Sequence, residues 1–399
     1  MTGLLVIMGS GETAPTMVKP HREIFKRCGD RAAVLLDTPY GFQENADDIS
    51  AKAVKYFADS TGRRLAVVEW RTTPAPGLPL ERALSGLREA GWLFAGPGSP
   101  TYALRQWAET PIPGVLAEVL ESDGVVCFAS AAALTLGSHT IPVYEIYKAG
   151  IDPHWVPGLD LFHRMTGLPA VIIPHYDNAE GGHHDTRFCY LGERRLALLE
   201  PLLPAESFII GIDEHTAGLF DLAAGTVEIV GNGGLTLRRG GVSQRWPAGT
   251  TLPFSVFSPS SSFVASAPAP VVSVDPPPLT SLAASTLETT ARFEASFEAH
   301  DPDGCVAAAL DLEQALQDWI ADTDVSDERE QARAALRGML VRLASFAGPD
   351  RFTPLVSALV ELRTAARSGR DFALSDSLRD VLGSVGVTIQ DTPGGTLWV

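Results

Sequence analysis

The chain has 399 residues, which is long for a single hydrophobic core and predicts two or three domains. Its formal net charge of −17 argues against broad, non-specific nucleic-acid binding, because such binding needs a basic surface. The same charge disfavours anionic membrane surfaces, and no apolar run approaches the ~20 residues of a membrane span. The four cysteines are scattered, as is typical of reduced thiols, so we expect a cytoplasmic protein without membrane contact.

Short apolar runs alternate with helical stretches from residue 1 to about Phe257. The runs predict buried strands at Leu4–Met8, Ala32–Asp37, Arg64–Trp70, Gly91–Ala95, Val125–Ala129, Ala170–Ile173 and Phe208–Asp213. Helical spacing predicts helices at Asn45–Ser60, Leu80–Glu89, Ser99–Glu109 and Glu193–Leu203. This alternation predicts an α/β fold with a mostly parallel, doubly wound sheet. After Ala217, short strands with Gly-rich turns predict an antiparallel meander at the sheet edge.

The composition changes after residue 257. Residues 258–284 are rich in Pro, Ser, Ala and Val, which predicts a partly extended linker. Beyond them, apolar residues at helical spacing predict helices at Leu287–Phe297, Asp301–Ala321, Asp327–Phe346, Phe352–Ser368 and Ala373–Val385. We therefore predict an α/β domain at 1–257, a linker at 258–284 and a small all-α domain at 285–399.

Ser130 stands between a predicted strand and a helix. It follows Val125–Ala129 directly and precedes a run of small residues, which is the layout of a nucleophile elbow. In such a turn the serine hydroxyl is presented at the strand end, and the N–H of Ala131 would lie where an oxyanion develops. Taken alone, the segment is also typical of a serine that caps a helix.

Three other segments end a predicted strand with polar or glycine residues. The loop at Gly96–Ser99 can direct main-chain N–H groups into a site. His175 can reach Ser130 as a general base, and one of the acids Asp213 and Glu214 could orient its ring. Each segment alone also fits an ordinary structural or solvated role. The nearby histidines at 183–184 show no recognised ligand spacing, so no metal is expected.

Together, and in this order, these segments resemble the dipeptidase E and cyanophycinase family of serine peptidases, over roughly residues 1–250. Pro174–Tyr176 with Glu180–Arg187 is similar to the dipeptidase E stretch around its catalytic histidine. Gly211–Glu214 with Thr216–Ala217 is similar to the cyanophycinase segment that carries its catalytic glutamate. The resemblance implies a class I glutamine-amidotransferase-like fold. It also implies five site residues, with the nucleophile, base and orienting acid followed by two oxyanion-hole residues: Ser130, His175, Glu214, Gly98 and Ala131.

The elbow departs from the family pattern. That pattern is usually G-x-S-A-G, whereas this chain has Phe128 and Ala132 at the flanking positions. A large side chain where a tight turn normally has glycine predicts a reshaped elbow or even a loss of activity.

Other residues near the expected site have alternative assignments. Glu145 lies near the position of an acid proposed in dipeptidase E, so it is an alternative orienting acid, followed by Asp213. The family favours an Asp next to the scissile bond. Arg187 and Lys148 would therefore suit a substrate carboxylate.

The end of the chain resembles the end of cysteinyl-tRNA synthetase, where it closes the helical anticodon-binding domain. The likeness rests on Phe372–Leu382 and Gly386–Trp398, and it does not extend to a synthetase catalytic domain. Arg363, Arg367 and Arg370 fall on one predicted helical face and could meet tRNA phosphates. A solvated or salt-bridged face explains the same spacing.

The sequence as a whole predicts a serine hydrolase that cleaves an amide or ester bond in a small peptide or aminoacyl substrate. A Ser-His-Glu triad would act without a metal or organic cofactor. Two alternatives stay open: a non-catalytic ligand-binding module whose tail docks tRNA or a protein, and a hydrolase acting on a tRNA-linked aminoacyl substrate. A monomer and a homo-oligomer are both open.

Overall fold

A computed structural model describes residues 2–180, 184–258, 281–319, 327–343, 353–392 and 395–398. The chain divides into two compact units. The described part of the first unit ends at Ser258, and that of the second begins at Ser281. Most of the predicted linker, 259–280, lies outside the described residues, and its last three residues belong to a helix that begins at Leu282. In the described part of the chain, no helix has the length and hydropathy to cross a membrane.

The first unit contains fourteen strands and nine α-helices in its described residues. The strands are β1 Leu4–Met8, β2 Ala32–Leu36, β3 Ala66–Val68, β4 Ala90–Ala95, β5 Val125–Ala129, β6 His139–Thr140, β7 Val156–Pro157, β8 Ala170–Ile173, β9 Phe208–Ile212, β10 Thr216–Asp221, β11 Thr226–Gly231, β12 Gly234–Arg239, β13 Val242–Pro247 and β14 Thr251–Pro253. The helices are α1 Val18–Cys28, α2 Ala46–Tyr56, α3 Leu78–Arg88, α4 Pro100–Trp107, α5 Ile112–Glu121, α6 Ser130–Leu134, α7 Val143–Tyr147, α8 Leu161–Thr166 and α9 Gly192–Leu199.

An eight-stranded sheet, in the order β14-β11-β10-β1-β5-β4-β2-β3, forms the centre of this unit. Strands β1, β5, β4, β2 and β3 are parallel, whereas β10, β11 and β14 are antiparallel. Successive strand residues point to opposite faces. Leu5 and Ile7 therefore pack with α3, α4 and α5, while Leu4 and Val6 pack with α1 and α2. This two-faced core confirms the predicted α/β class and brings the carboxyl ends of β1, β4 and β5 to one edge.

The prediction of one sheet with an edge meander is wrong in one respect. Strands β8 and β9 pair in parallel in a second sheet of order β13-β12-β9-β8, and the strands after Ala217 are divided between the two sheets. The separation occurs at Gly231, where φ is +111° and a Cβ would lie 2.2 Å from the carbonyl oxygen of His215. Only glycine allows this close approach, after which β12 pairs with β9. An alternating apolar pattern in the sequence predicts a strand, but it does not indicate which of the two sheets that strand joins.

The second unit contains five helices and a hairpin in its described residues. The helices are α10 Leu282–Glu298, α11 Pro302–Asp318, α12 Glu328–Leu343, α13 Thr353–Ser368 and α14 Phe372–Ser384. The hairpin, which the all-α prediction did not include, pairs β15 Ile389–Thr392 with β16 Gly395–Trp398.

Asp391 in this hairpin gathers three arginine side chains. It accepts two hydrogen bonds from the wholly buried Arg363, at 2.7 and 2.9 Å, and others from Arg367 and Arg379 at 2.7 and 2.8 Å. Arg363 and Arg367 are thus both paired with Asp391, although Arg367 is exposed, and Arg370 is exposed at the turn after α13. The geometry gives Arg363 a structural role, because a buried guanidinium cannot reach a phosphate.

We expect Asp391→Ala to destabilise the second unit by about 3 kcal/mol, because it leaves the buried Arg363 guanidinium without its carboxylate. Urea unfolding followed by hydrogen exchange of helix amides measures this loss. The matched control is Arg379→Ala, which removes a half-exposed partner and should cost less than about 1 kcal/mol. Equal losses in the two variants would contradict the assignment.

Candidate active site

Ser130 lies in a strained turn at the end of β5. It is the first residue of α6 and has φ +50°, a left-handed conformation that is rare for residues other than glycine and costs about 1–3 kcal/mol. The N–H of Ala132 donates to the carbonyl oxygen of Gly96 at 3.2 Å, which ties the turn to the loop after β4.

The β5 residue Phe128 is fully buried in the core, with its ring centre 5.6 Å from that of Trp107. Its side chain therefore packs beside the elbow, and the turn forms despite it.

A continuous chain of hydrogen bonds links Ser130, His175 and Glu214. The serine Oγ lies 2.9 Å from His175 Nε2, and His175 Nδ1 lies 2.8 Å from Glu214 Oε1. An ionised carboxylate only accepts hydrogen bonds, so Nδ1–H donates to it and Nε2 is left to accept the serine proton. Burial disfavours ionisation of Glu214, but hydrogen bonds from His175 and Asn178 outweigh it, and the pKa of Glu214 lies below its usual value. The three residues have the connectivity of a serine-hydrolase triad.

Two neighbours of His175 hold Glu214 in place. Asn178, which is 1% exposed, donates through Nδ2 to Glu214 Oε1 at 2.9 Å. Asp177 Oδ1 accepts the main-chain N–H of Glu214 at 2.8 Å. Burial, followed by repulsion from Asp213, raises the pKa of Asp177 to about 6. These two residues are not among the predicted site residues, although their position two and three residues after His175, at a strand end, is a signal for them.

Gly98 and Ala131 lie at the ends of the neighbouring strands β4 and β5. Gly98 has φ +138°, and a Cβ there would lie 2.1 Å from the carbonyl oxygen of Pro39, so this position requires glycine. Ala131 belongs to the first turn of α6, where N–H groups have no acceptor within the helix. Both main-chain N–H groups therefore lie at the carboxyl ends of the strands, on the same edge of the sheet as Ser130.

The two alternative acids are engaged elsewhere. Asp213 is 2% exposed, and its Oδ2 accepts from the Gly234 N–H at 2.8 Å and from Arg245 at 2.6 and 3.0 Å. It therefore joins β9 to the strands after it. Glu145 Oε1 accepts from the Thr101 hydroxyl at 2.7 Å. Glu214 is the acid that contacts His175.

The two basic residues expected to bind a substrate carboxylate have partners in their own segments. The guanidinium of Arg187 binds both carboxylate oxygens of Asp185 at 2.8 Å and lies over the ring of Phe188. The Lys148 ammonium lies 4.9 Å from the centre of the Tyr147 ring.

Three consecutive residues next to His175 adopt left-handed conformations. Phe188, Cys189 and Tyr190 have φ values of +61°, +54° and +64°, and each such residue costs about 1–2 kcal/mol. The N–H of Cys189 donates to the carbonyl oxygen of His175 at 3.1 Å. The Tyr190 ring lies 6.1 Å from the His175 ring, and its hydroxyl donates to Glu180 at 2.8 Å. This strained turn braces the histidine and places an aromatic wall beside it.

The described residues contain no group of three or more His, Cys, Asp or Glu side chains arranged to hold a metal ion. Residue 183 lies outside the described part of the chain. All four cysteines are buried free thiols.

Comparison with solved structures supports the fold of the first unit. A crystal structure of a peptidase from an acI-B1 Actinobacterium matches with a TM-score of 0.53 and 20% sequence identity, over 64% of this chain and 98% of that one. The first unit thus has the class I glutamine-amidotransferase-like fold implied by the resemblance. No protein-family model matches the sequence.

Comparison with curated proteins supports the resemblance of the C-terminal segment. Cysteine–tRNA ligase of Lactobacillus delbrueckii subsp. bulgaricus (strain ATCC BAA-365 / Lb-18) is 35% identical over 133 residues, or 29% of this chain. The ligase of Bacillus pumilus (strain SAFR-032) is 33% identical over 95 residues, or 23% of this chain. The chain spans only 26% and 20% of the length of these relatives. The similarity therefore concerns a part of the ligases.

Proposed function

We propose that the first unit is a serine hydrolase that cleaves an amide or ester bond in a small peptide or aminoacyl substrate. The single observation that carries this proposal is the Ser130–His175–Glu214 chain, with distances of 2.9 and 2.8 Å. The left-handed φ of +50° at Ser130 supports it, because strain of this kind persists where the surrounding structure maintains it.

In the proposed mechanism, the Ser130 hydroxyl attacks the scissile carbonyl and His175 Nε2 takes its proton. Glu214 stabilises the imidazolium, and the N–H groups of Gly98 and Ala131 bind the oxyanion. His175 then gives the proton to the leaving amine or alcohol, which leaves an acyl group on the serine. Water, deprotonated by His175, attacks the acyl group. The ester bond to Ser130 then breaks, Ser130 Oγ takes the proton back from His175, and the acid is released. Side chains and main-chain groups of this protein supply every catalytic group in these steps, and water is the second substrate.

A panel of short peptides and aminoacyl esters tests this function. We expect the full chain to hydrolyse members of the panel and Ser130→Ala to lose about a million-fold in kcat. The matched control is Ser138→Ala, since Ser138 also bonds a histidine, His139 at 3.1 Å, but is not in the elbow. Activity that persists in Ser130→Ala, or an inactive and correctly folded wild type, would contradict the proposal.

A second candidate function concerns the second unit, and the similarity to cysteine–tRNA ligases favours it. In this proposal the unit brings the hydrolase to a tRNA-linked aminoacyl substrate. Of the three arginines assigned to phosphate contact, Arg363 and Arg367 bind Asp391, whereas Arg370 is exposed at the turn after α13 and forms no ion pair with Asp391. Gel shifts of the full chain with tRNA, over a range of salt concentrations, test it. A salt-dependent shift that Arg370→Ala weakens supports the proposal, and the absence of any shift at low salt contradicts it.

A further inference from the structure

Three aromatic rings lead from the candidate general base to the surface of the first unit. The ring centre of Tyr190 lies 6.1 Å from that of His175, and the ring centre of Tyr147 lies 5.1 Å from that of Tyr190. His184 follows at 6.4 Å from Tyr147, with 17° between the two ring planes. His175 is buried, both tyrosines are half-buried and His184 is exposed. A ligand can therefore reach this aromatic row, which consists of Tyr190, Tyr147 and His184, from solvent.

The surrounding structure fixes the position of Tyr190. Its N–H donates to the carbonyl oxygen of Thr186 at 2.9 Å, and its side chain packs on a hydrophobic cluster that contains Ile146 and Phe188. Its hydroxyl donates to Glu180 at 2.8 Å, so the ring carbons are left for contact with a ligand. A surface that is already ordered binds a ligand at a lower entropic cost.

The position of Tyr190 indicates which part of a substrate the aromatic row meets. In a triad the base gives its proton to the leaving group, which must therefore come within hydrogen-bond reach of His175 Nε2. In a peptide, the side chain of the released residue starts two bonds from the protonated nitrogen. Tyr190 is the ring beside the same imidazole, whereas the proposed oxyanion-hole residue Gly98 follows β4, in the other sheet from the strand before His175. The aromatic row thus lies on the leaving-group side of the triad.

The charge next to the aromatic row decides which ligand chemistry fits it. Accessible aromatic rings attract both flat rings and cations. Here the exposed ammonium of Lys148 already lies 4.9 Å from the ring centre of Tyr147. A second positive charge would be repelled, whereas a neutral aromatic ring can make face and edge contacts with the tyrosines.

We infer that the aromatic row binds the leaving group of the substrate and selects leaving groups that carry a neutral aromatic ring. The inference rests on the proposed hydrolase function and specifies its substrate class. Two sources supply such a ring: the aromatic side chain of a residue released from a peptide, and the base of a nucleoside released from an aminoacyl ester. Tyr190 and Tyr147 are thus specificity-determining residues.

Pairs of substrates with the same acyl group, taken from the best substrate of the panel, test the inference on the full-length protein. In the peptide arm, the kcat/KM of a peptide that releases phenylalanine is divided by that of one that releases alanine. In the ester arm, the kcat/KM of an aminoacyl ester of adenosine is divided by that of the same ester of methyl riboside. Within each pair the bond that breaks is the same, so the ratio reports contacts of the leaving group.

We expect the wild type to favour the aromatic member in at least one arm, and Tyr190→Ala to lower that ratio about 3- to 10-fold, as expected for the loss of an aromatic pair. Tyr190→Phe keeps the ring and removes only the hydroxyl, so it should keep the ratio. A second control is Trp155→Ala, which removes a half-buried ring that packs on the same hydrophobic cluster but lies outside the aromatic row. This variant should also keep the ratio.

An unchanged ratio in Tyr190→Ala, an equal fall in Trp155→Ala, or a wild type that favours the aromatic member in neither arm would overturn the inference while the triad stands. If Tyr190→Ala does not fold, Tyr147→Ala replaces it and should lower the ratio about 2- to 5-fold, because this ring is further from His175. An unchanged ratio in that variant also overturns the inference.

The two arms distinguish the sources of the ring. A preference in the peptide arm alone supports the inference with an aromatic residue as the leaving group, and a preference in the ester arm alone supports it with a nucleoside. A wild type that hydrolyses no member of either pair and whose Ser130 reacts with no acylating or phosphonylating probe overturns the proposed function, and the inference with it.

Discussion

His175→Ala is expected to lower kcat/KM by about a million-fold, as large as the loss from removing the nucleophile itself. His175 Nε2 lies 2.9 Å from the serine oxygen and is the group placed to take its proton. Without it, the hydroxyl would attack as a neutral alcohol, and the leaving group would depart unprotonated. Steady-state kinetics on the best substrate of the panel measure this loss.

The matched control for this prediction is His163→Ala. His163 also contacts an acid, Asp160 at 3.4 Å, but is half-exposed on α8. Its removal should leave the rate within a few-fold of wild type. A His175→Ala variant that keeps more than a hundredth of the activity would show that another group deprotonates Ser130.

Glu214→Gln is expected to lower kcat about 10⁴-fold with little change in fold, the loss known when a triad carboxylate becomes an amide. The new amide can donate to His175 Nδ1, which would leave the proton on Nε2 and turn the general base away from its task. Asn178 donates to the same carboxylate oxygen at 2.9 Å and so opposes the amide rotamer whose NH₂ faces the histidine. In the other rotamer the amide oxygen accepts from Nδ1–H but carries no charge to stabilise the imidazolium. Rapid-mixing kinetics on an activated ester give kcat for the acylation step.

The control Glu118→Gln removes an equal charge from the exposed face of α5, where Glu118 pairs with Arg88 at 3.0 Å. It should keep the wild-type rate. A greater loss in Asp213→Asn than in Glu214→Gln would contradict the assignment of the orienting acid. The structure argues against that outcome, since Asp213 binds Gly234 and Arg245.

The sequence predicts the buried strands well because a buried strand is a short apolar run that local residues define. β1 and β5 match their predicted bounds, and β2 ends one residue earlier than predicted. It did not predict α1, which has Pro20 inside its first turn, or α5, which begins between Pro111 and Pro113. Proline is compatible with a first helical turn because the N–H there needs no helical partner.

Residues of the candidate site could be predicted where a single candidate side chain follows a predicted strand. Ser130 and His175 were assigned from such positions, and the structure brings them together. Two adjacent acids are harder, because neighbouring residues at a strand end point to opposite sides. Whether Asp213 or Glu214 faces the histidine depends on Arg245 and Gly234, which follow later in the chain.

Partners distant in sequence also explain the arginines of the second unit. Arg363 has the helical spacing of an exposed basic face, but Asp391, 28 residues later, draws it into the interior. The hairpin that carries Asp391 follows two helices, and no local pattern in α13 indicates it. The same limit applies to Glu145, whose contact with Thr101 spans 44 residues.

The most direct test of the triad is active-site titration of the full-length protein with a fluorophosphonate probe, read by intact mass and by mapping of the modified peptide. We predict one probe molecule per chain, attached to Ser130, with labelling lost in Ser130→Ala and His175→Ala and retained in Ser138→Ala. Labelling of a different residue, or equal labelling of wild type and Ser130→Ala, would contradict it.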